Sequence, residues 1–208
     1  ICAWGVHLYT ALGAVFGMLA MHSAAGGDYR ASFMAMAVTV AIDSSDGTLA
    51  RMLEVKRRIP WFDGALLDNI VDYFTYVVVP VFFALCAGLV SGWTGMAIAC
   101  LLLIASAYQF CQAEAKTPDN YFLGFPSYWN VVVFYLYCLA LSPAAGEIIL
   151  TILAVMVFIP IKYIYPSRTR PLRPLTVTLG FAWGAVTIAM LPGLPHVNPI
   201  LLYLSLSY

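Results

Sequence analysis

Apolar stretches of membrane length alternate with short polar joints along this chain. A membrane-crossing helix needs roughly 20 mostly apolar residues, and windows of that kind predict about eight spans. They cover residues 3–22, 31–51, 64–90, 94–113, 127–141, 146–165 and 174–191, with a last one from residue 198 to the end. Pro160 lies inside the sixth window, where a kink is expected. The predicted fold class is all-α, a polytopic membrane helix bundle. Residues 1–208 form a single membrane domain, and both ends stop in apolar sequence as if trimmed from a longer chain.

Composition agrees with the pattern. The chain is 62% hydrophobic and 10% charged, where a soluble domain carries about 25% charged residues. Ten basic and ten acidic residues cancel formally, so there is no case for nucleic-acid binding. The five cysteines lie in or beside apolar runs without a C-x-x-C pair, which reads as small core residues. Lys and Arg set the expected orientation. With the start of the first span inside, Arg51, Lys56, Arg57, Arg58, Lys116, Lys162, Arg168, Arg170 and Arg173 face the cytoplasm and Arg30 does not.

The acidic residues are not spread evenly. Asp43, Asp46, Glu54, Asp63, Asp68 and Asp72 are six of the ten, packed between two membrane-length segments. Charge at such depth is costly unless it is neutralised or used. At about 100° per residue, Asp43, Asp46, Gly47, Ala50 and Arg51 share one helical face. Gly64, Asp68 and Asp72 share another, one turn apart. Two helices can thus turn four carboxylates toward each other, and these cannot all stay ionised without cations. All-oxygen donors suit Mg²⁺ or Mn²⁺, and two ions are expected. Gly47 and Gly64 leave room beside the backbone, and Arg51 offers a planar donor for phosphate. Together these residues point to a diphosphate substrate. Glu54 and Asp63 are better explained as partners of the nearby Arg51, Lys56, Arg57 and Arg58 at a solvated loop edge.

The wording D-x2-D-G-x2-A-R…G-x3-D-x3-D resembles the signature of the CDP-alcohol phosphatidyltransferases. All eight of its fixed positions are present, from Asp43 to Asp72. Twelve residues, Met52 to Asp63, separate Arg51 from Gly64, where the common pattern has about eight. The longer spacer, the span number and F-x-G-F-P-S-Y-W-N at Phe122 to Asn130 are similar to one branch, the bacterial phosphatidylcholine synthases.

The resemblance implies an integral enzyme of the bacterial inner membrane whose site faces the cytoplasm. It would make phosphatidylcholine and CMP from CDP-diacylglycerol and choline. Asp43, Asp46, Asp68 and Asp72 would hold the divalent cations, with Asp72 also the catalytic base. Gly47, Ala50, Arg51, Gly64 and Thr10 would bind CDP. His7 lies one turn from Thr10 on the first span, at the depth of the aspartates.

Choline offers a quaternary ammonium, which aromatic faces and carboxylates recognise without hydrogen bonds. Glu114, Tyr121, Tyr128, Trp129 and Asn130 are the choline-binding candidates, and Tyr73 and Tyr76 follow the aspartate helix closely enough to contribute. An interfacial aromatic belt would collect the same residue types. The expected partners are the two substrates and membrane lipids, with a homodimer left open. Gly13 and Gly17 form a G-x3-G suited to close helix packing. Rival readings are another acceptor (serine, inositol or glycerol phosphate), a membrane prenyltransferase, and a transporter with intramembrane acids.

Overall fold

The computed structural model describes residues 2–112, 121–164 and 173–207. Helices α1 (Cys2–Ala25) and α2 (Tyr29–Met52) form an antiparallel pair. Gly27, at φ 78°, makes the tight turn between them, and the Asp28 side chain caps α2 by accepting from the Ala31 amide. Buried Ser32 donates to the Ala20 carbonyl and ties the pair together. A short helix, α3 (Val55–Arg58), follows, with Glu54 in the left-handed region at φ 47°.

The next helical rod runs over Gly64–Cys86. It comprises α4 (Gly64–Tyr73), a wide π-helical turn (Phe74–Val78) and α5 (Val79–Cys86). In the wide turn the Val79 amide donates to the Phe74 carbonyl, just before Pro80, which has no amide to give. Helix α6 (Gly92–Cys111), α7 (Trp129–Cys138), α8 (Pro143–Met156), α9 (Arg173–Met190) and α10 (Pro199–Leu206) complete the bundle. Proline at the first position and a side-chain cap from Ser142 or Asn198 start α8 and α10. Phe83, Leu102, Trp129 and Leu150, from α5 to α8, are the large side chains at the centre of the core.

Helices occupy each predicted window. Four of them, over Ala3–Ala25, Gly64–Cys86, Gly92–Cys111 and Pro174–Gly193, are long and apolar enough to cross a membrane by length and composition. Helices α7 and α8 are apolar but shorter. The sixth element differs from its prediction. It ends at Met156, short of Pro160, and the Val157, Phe158 and Ile159 amides donate to the carbonyls three residues back, the tightened turn that often closes a helix.

The helical pattern also concealed a small ribbon. Strand β1 (Tyr121–Leu123) pairs antiparallel with β2 (Lys162–Ile164), Phe122 opposite Tyr163. Gly124, at φ 78°, donates its amide to the Ile161 carbonyl, and a Cβ there would strike the Val157 carbonyl oxygen. Gln109 of α6 donates to the Leu123 carbonyl at 2.9 Å. The ribbon thereby anchors the segment entering α7 to α6 and to the end of α8.

Candidate active site

Asp43 on α2 and Asp68 and Asp72 on α4 converge. One carboxylate oxygen from each lies within 4.8 Å of the others, and all three residues are half-buried. Asp68 and Asp72 stack one turn apart on α4, and the α1 contact to both helices sets the distance to Asp43. Asp43 also accepts a 2.7 Å hydrogen bond from the Tyr76 hydroxyl. Three carboxylates at this spacing repel one another unless positive charge sits among them. Hard oxygen donors of this number fit Mg²⁺ or Mn²⁺.

Asp46 stands outside this close group of three. It is 5% exposed and its Oδ2 accepts a 2.7 Å hydrogen bond from the buried Thr10 hydroxyl of α1. Thr10, expected near CDP, is therefore the partner of an aspartate. One residue away on each helix, the Tyr9 hydroxyl and Ser45 Oγ lie 2.8 Å apart, so α1 grips α2 through two adjacent polar contacts.

Gly47, Ala50 and Arg51 continue along α2 as expected. Arg51 is exposed and donates to the Thr48 hydroxyl, and a Cβ at position 47 would lie 3.4 Å from its Nη1. Ala50, Arg51, Glu54, Val55, Lys56 and Arg57 line a groove of about 380 Å³. Gly64 opens α4 directly beneath the His7 ring. His7 is 8% exposed, rests against Phe62 and Trp4, and its Nε2 has no hydrogen-bond partner among the described residues. Gly13 and Gly17 serve contacts within the chain, against Val71 and Phe74 of the next rod.

Of the two loop acids expected to pair with nearby basic residues, Glu54 does so and Asp63 does not. Glu54 pairs with Arg57 at 3.3 Å, both exposed. Asp63 instead caps α4, accepting from the Ala65 and Leu66 amides.

The acceptor candidates scatter. Glu114 lies outside the described residues. The Lys162 ammonium sits 5.5 Å from the centre of the Tyr121 ring. Trp129 is fully buried, its indole N–H donating to Ser106 at 2.7 Å, and the Asn130 side chain accepts from the Val131 amide. Trp129 thus packs the core, and Asn130 satisfies an amide in the first turn of α7. Tyr128, 37% exposed, packs beside Tyr76, the partner of Asp43. Its ring centre is 5.9 Å from that of Tyr76 and 6.2 Å from that of Phe122. Tyr73, by contrast, donates to the Leu103 carbonyl. Phe122 was not singled out from sequence, although it opens the F-x-G-F-P-S-Y-W-N segment; nothing local distinguished its ring from its aromatic neighbours.

A helical membrane bundle with carboxylates on two facing helices, drawn from one D-x2-D-G-x2-A-R…G-x3-D-x3-D run, defines a class. The CDP-alcohol phosphatidyltransferase description matches residues 7–161, and the chain belongs to that family, whose members depend on a divalent cation. Among its relatives are proteins named phosphatidylcholine synthase. That of Legionella pneumophila is 42% identical over 99% of this chain and 84% of its own length. That of Borreliella burgdorferi is 41% identical over 86% and 76%, and that of Pseudomonas aeruginosa 36% over 96% and 84%.

Proposed function

We propose that this chain is a phosphatidylcholine synthase. It transfers the phosphatidyl group of CDP-diacylglycerol to the hydroxyl of choline and releases CMP. The observation that carries the reading is the convergence of Asp43, Asp68 and Asp72 from the two halves of the family motif. Relatives bearing that name match nearly the whole chain.

Asp43, Asp68 and Asp72 would hold one divalent cation, and Asp46 would supply a carboxylate for a second. Bound there, the cation would offset diphosphate charge and stabilise the departing CMP. Asp72 is the base that takes the choline hydroxyl proton. The choline oxygen then bonds to the phosphorus next to diacylglycerol, and the bond from that phosphorus to the CMP oxygen breaks. Gly47, Ala50, Arg51 and Gly64 border the CDP, with the Arg51 guanidinium suited to its phosphates. Thr10 contributes by holding Asp46.

In this reading residues 1–208 act as one membrane domain, in a bacterial inner membrane with the aspartates opening to the cytoplasm. The bias of Lys and Arg toward that end supports the orientation. The deciding experiment supplies purified protein with CDP-diacylglycerol, Mg²⁺ or Mn²⁺, and a panel of choline, serine, inositol and glycerol phosphate. CMP release with choline alone is expected; release only with another alcohol overturns the acceptor, and ion flux without CMP overturns the chemistry.

A further inference from the structure

We propose that Tyr76, Tyr128 and Phe122 form the wall that reads the quaternary ammonium of the acceptor, and that the Tyr76 hydroxyl fixes this wall to the ligand Asp43. The proposal rests on the acceptor being choline, as argued above.

Choline is short. Once its hydroxyl meets Asp72, its ammonium must lie within about one helical turn, ~5.4 Å along the axis, of that carboxylate. Tyr76 is four residues after Asp72 on the same rod. Its hydroxyl is engaged by Asp43 at 2.7 Å, which holds the ring in place. The wide turn over Phe74–Val78 contains Tyr76, and such turns are frequent at functional sites because they re-aim a side chain without breaking the helix. From the other side, Tyr128 brings its ring centre to 5.9 Å from Tyr76, and Phe122 stands edge-on to Tyr128 at an interplanar angle of 88°.

A trimethylammonium has no proton to donate. It is held by ring faces, here those of Tyr76, Tyr128 and Phe122. Ser127, at φ 58° and fully buried, sets the backbone immediately before Tyr128 in a left-handed conformation that non-glycine residues seldom adopt. An aromatic belt that only anchors a protein in the interface asks for no such placement. Trp129, the neighbouring aromatic, is excluded from the wall by its complete burial and its bond to Ser106.

The test measures KM for choline and for CDP-diacylglycerol separately in Tyr128→Leu, Phe122→Leu and Tyr76→Phe, beside Tyr128→Trp and Phe122→Tyr. The leucine variants are expected to raise KM for choline about tenfold, equivalent to about 1.4 kcal/mol, and to leave KM for CDP-diacylglycerol within about twofold. The aromatic replacements should restore choline binding. Tyr76→Phe keeps the ring but frees it from Asp43, so KM for choline should rise, by less than in the leucine variants, and kcat should fall. Equal changes in both KM values, or full activity in the leucine variants, overturn the wall and leave an interfacial belt. If the leucine variants do not fold, the aromatic replacements decide: retained discrimination for choline over ethanolamine supports the wall, and lost discrimination overturns it. Wild-type protein that ignores choline but uses another alcohol sinks the functional reading instead, before any variant is compared.

Discussion

The His7 ring lies directly over Gly64: a Cβ at position 64 would come 2.7 Å from His7 Cε1. Gly64→Ala therefore has to displace a buried ring between Trp4 and Phe62. Overpacking of this kind costs about 1–3 kcal/mol. Thermal unfolding in detergent should show the loss, and CMP release should drop with it. Adding His7→Ala should recover much of the stability, since the two changes share one space. Failure of the double variant to recover any would separate the two residues.

Thr10→Val removes the hydroxyl that donates to buried Asp46 and leaves its carboxylate short of a partner. A loss of about 1–3 kcal/mol is expected. Thr10→Ser keeps the donor and should unfold near the wild-type temperature. Similar unfolding temperatures for the two variants would show that the bond carries little.

Asp72→Asn should abolish turnover while CDP-diacylglycerol binding largely survives. An amide cannot accept the hydroxyl proton, whereas neighbouring Asp43 and Asp68 remain to hold the cation that would offset the diphosphate charge. Binding is read by competition with labelled CDP-lipid and turnover by CMP release. Near-normal turnover would remove Asp72 from the role of base.

Chelation with EDTA should stop CMP release, and Mg²⁺ or Mn²⁺ should restore it. Asp68→Asn withdraws one of three converging carboxylates, so the metal concentration for half-maximal activity should rise at least about tenfold. An unchanged requirement would place the essential cation elsewhere.

Gly17→Leu should destabilise the fold of a single chain, because a Cβ there already comes 2.6 Å from the Phe74 ring. Sizing in detergent would show whether oligomeric state also changes. A stable, active variant altered only in association would mean that the glycine faces a second chain.

The carboxylate faces were legible because helices map sequence spacing onto space. Asp68 and Asp72 at i,i+4, and Asp43 on the preceding helix, needed only a period of 3.6 to be aligned. The separation of Asp46 from the triad was not legible, since it depends on which α1 side chain stands opposite, here Thr10. Gly13 and Gly17 announced close packing without naming Val71 and Phe74 as the neighbours. Trp129 and Asn130 have the composition of a substrate pocket, yet tertiary packing buries both. Strands of three residues, such as Tyr121–Leu123, are too short to show a period of two, so the ribbon left no trace in the pattern.

That ribbon has a consequence for how the enzyme can change. The carboxylates come from residues 43–72, brought together by consecutive helices. Phe122 and Tyr128 hang from a pairing completed by residues 162–164, far later in the chain. In the proposed reading the carboxylates and two of the three acceptor-wall rings thus lie on separate lengths of sequence, with Tyr76 joining them. Substitutions in the later segment would then retune the acceptor while the carboxylate cluster stays as it is.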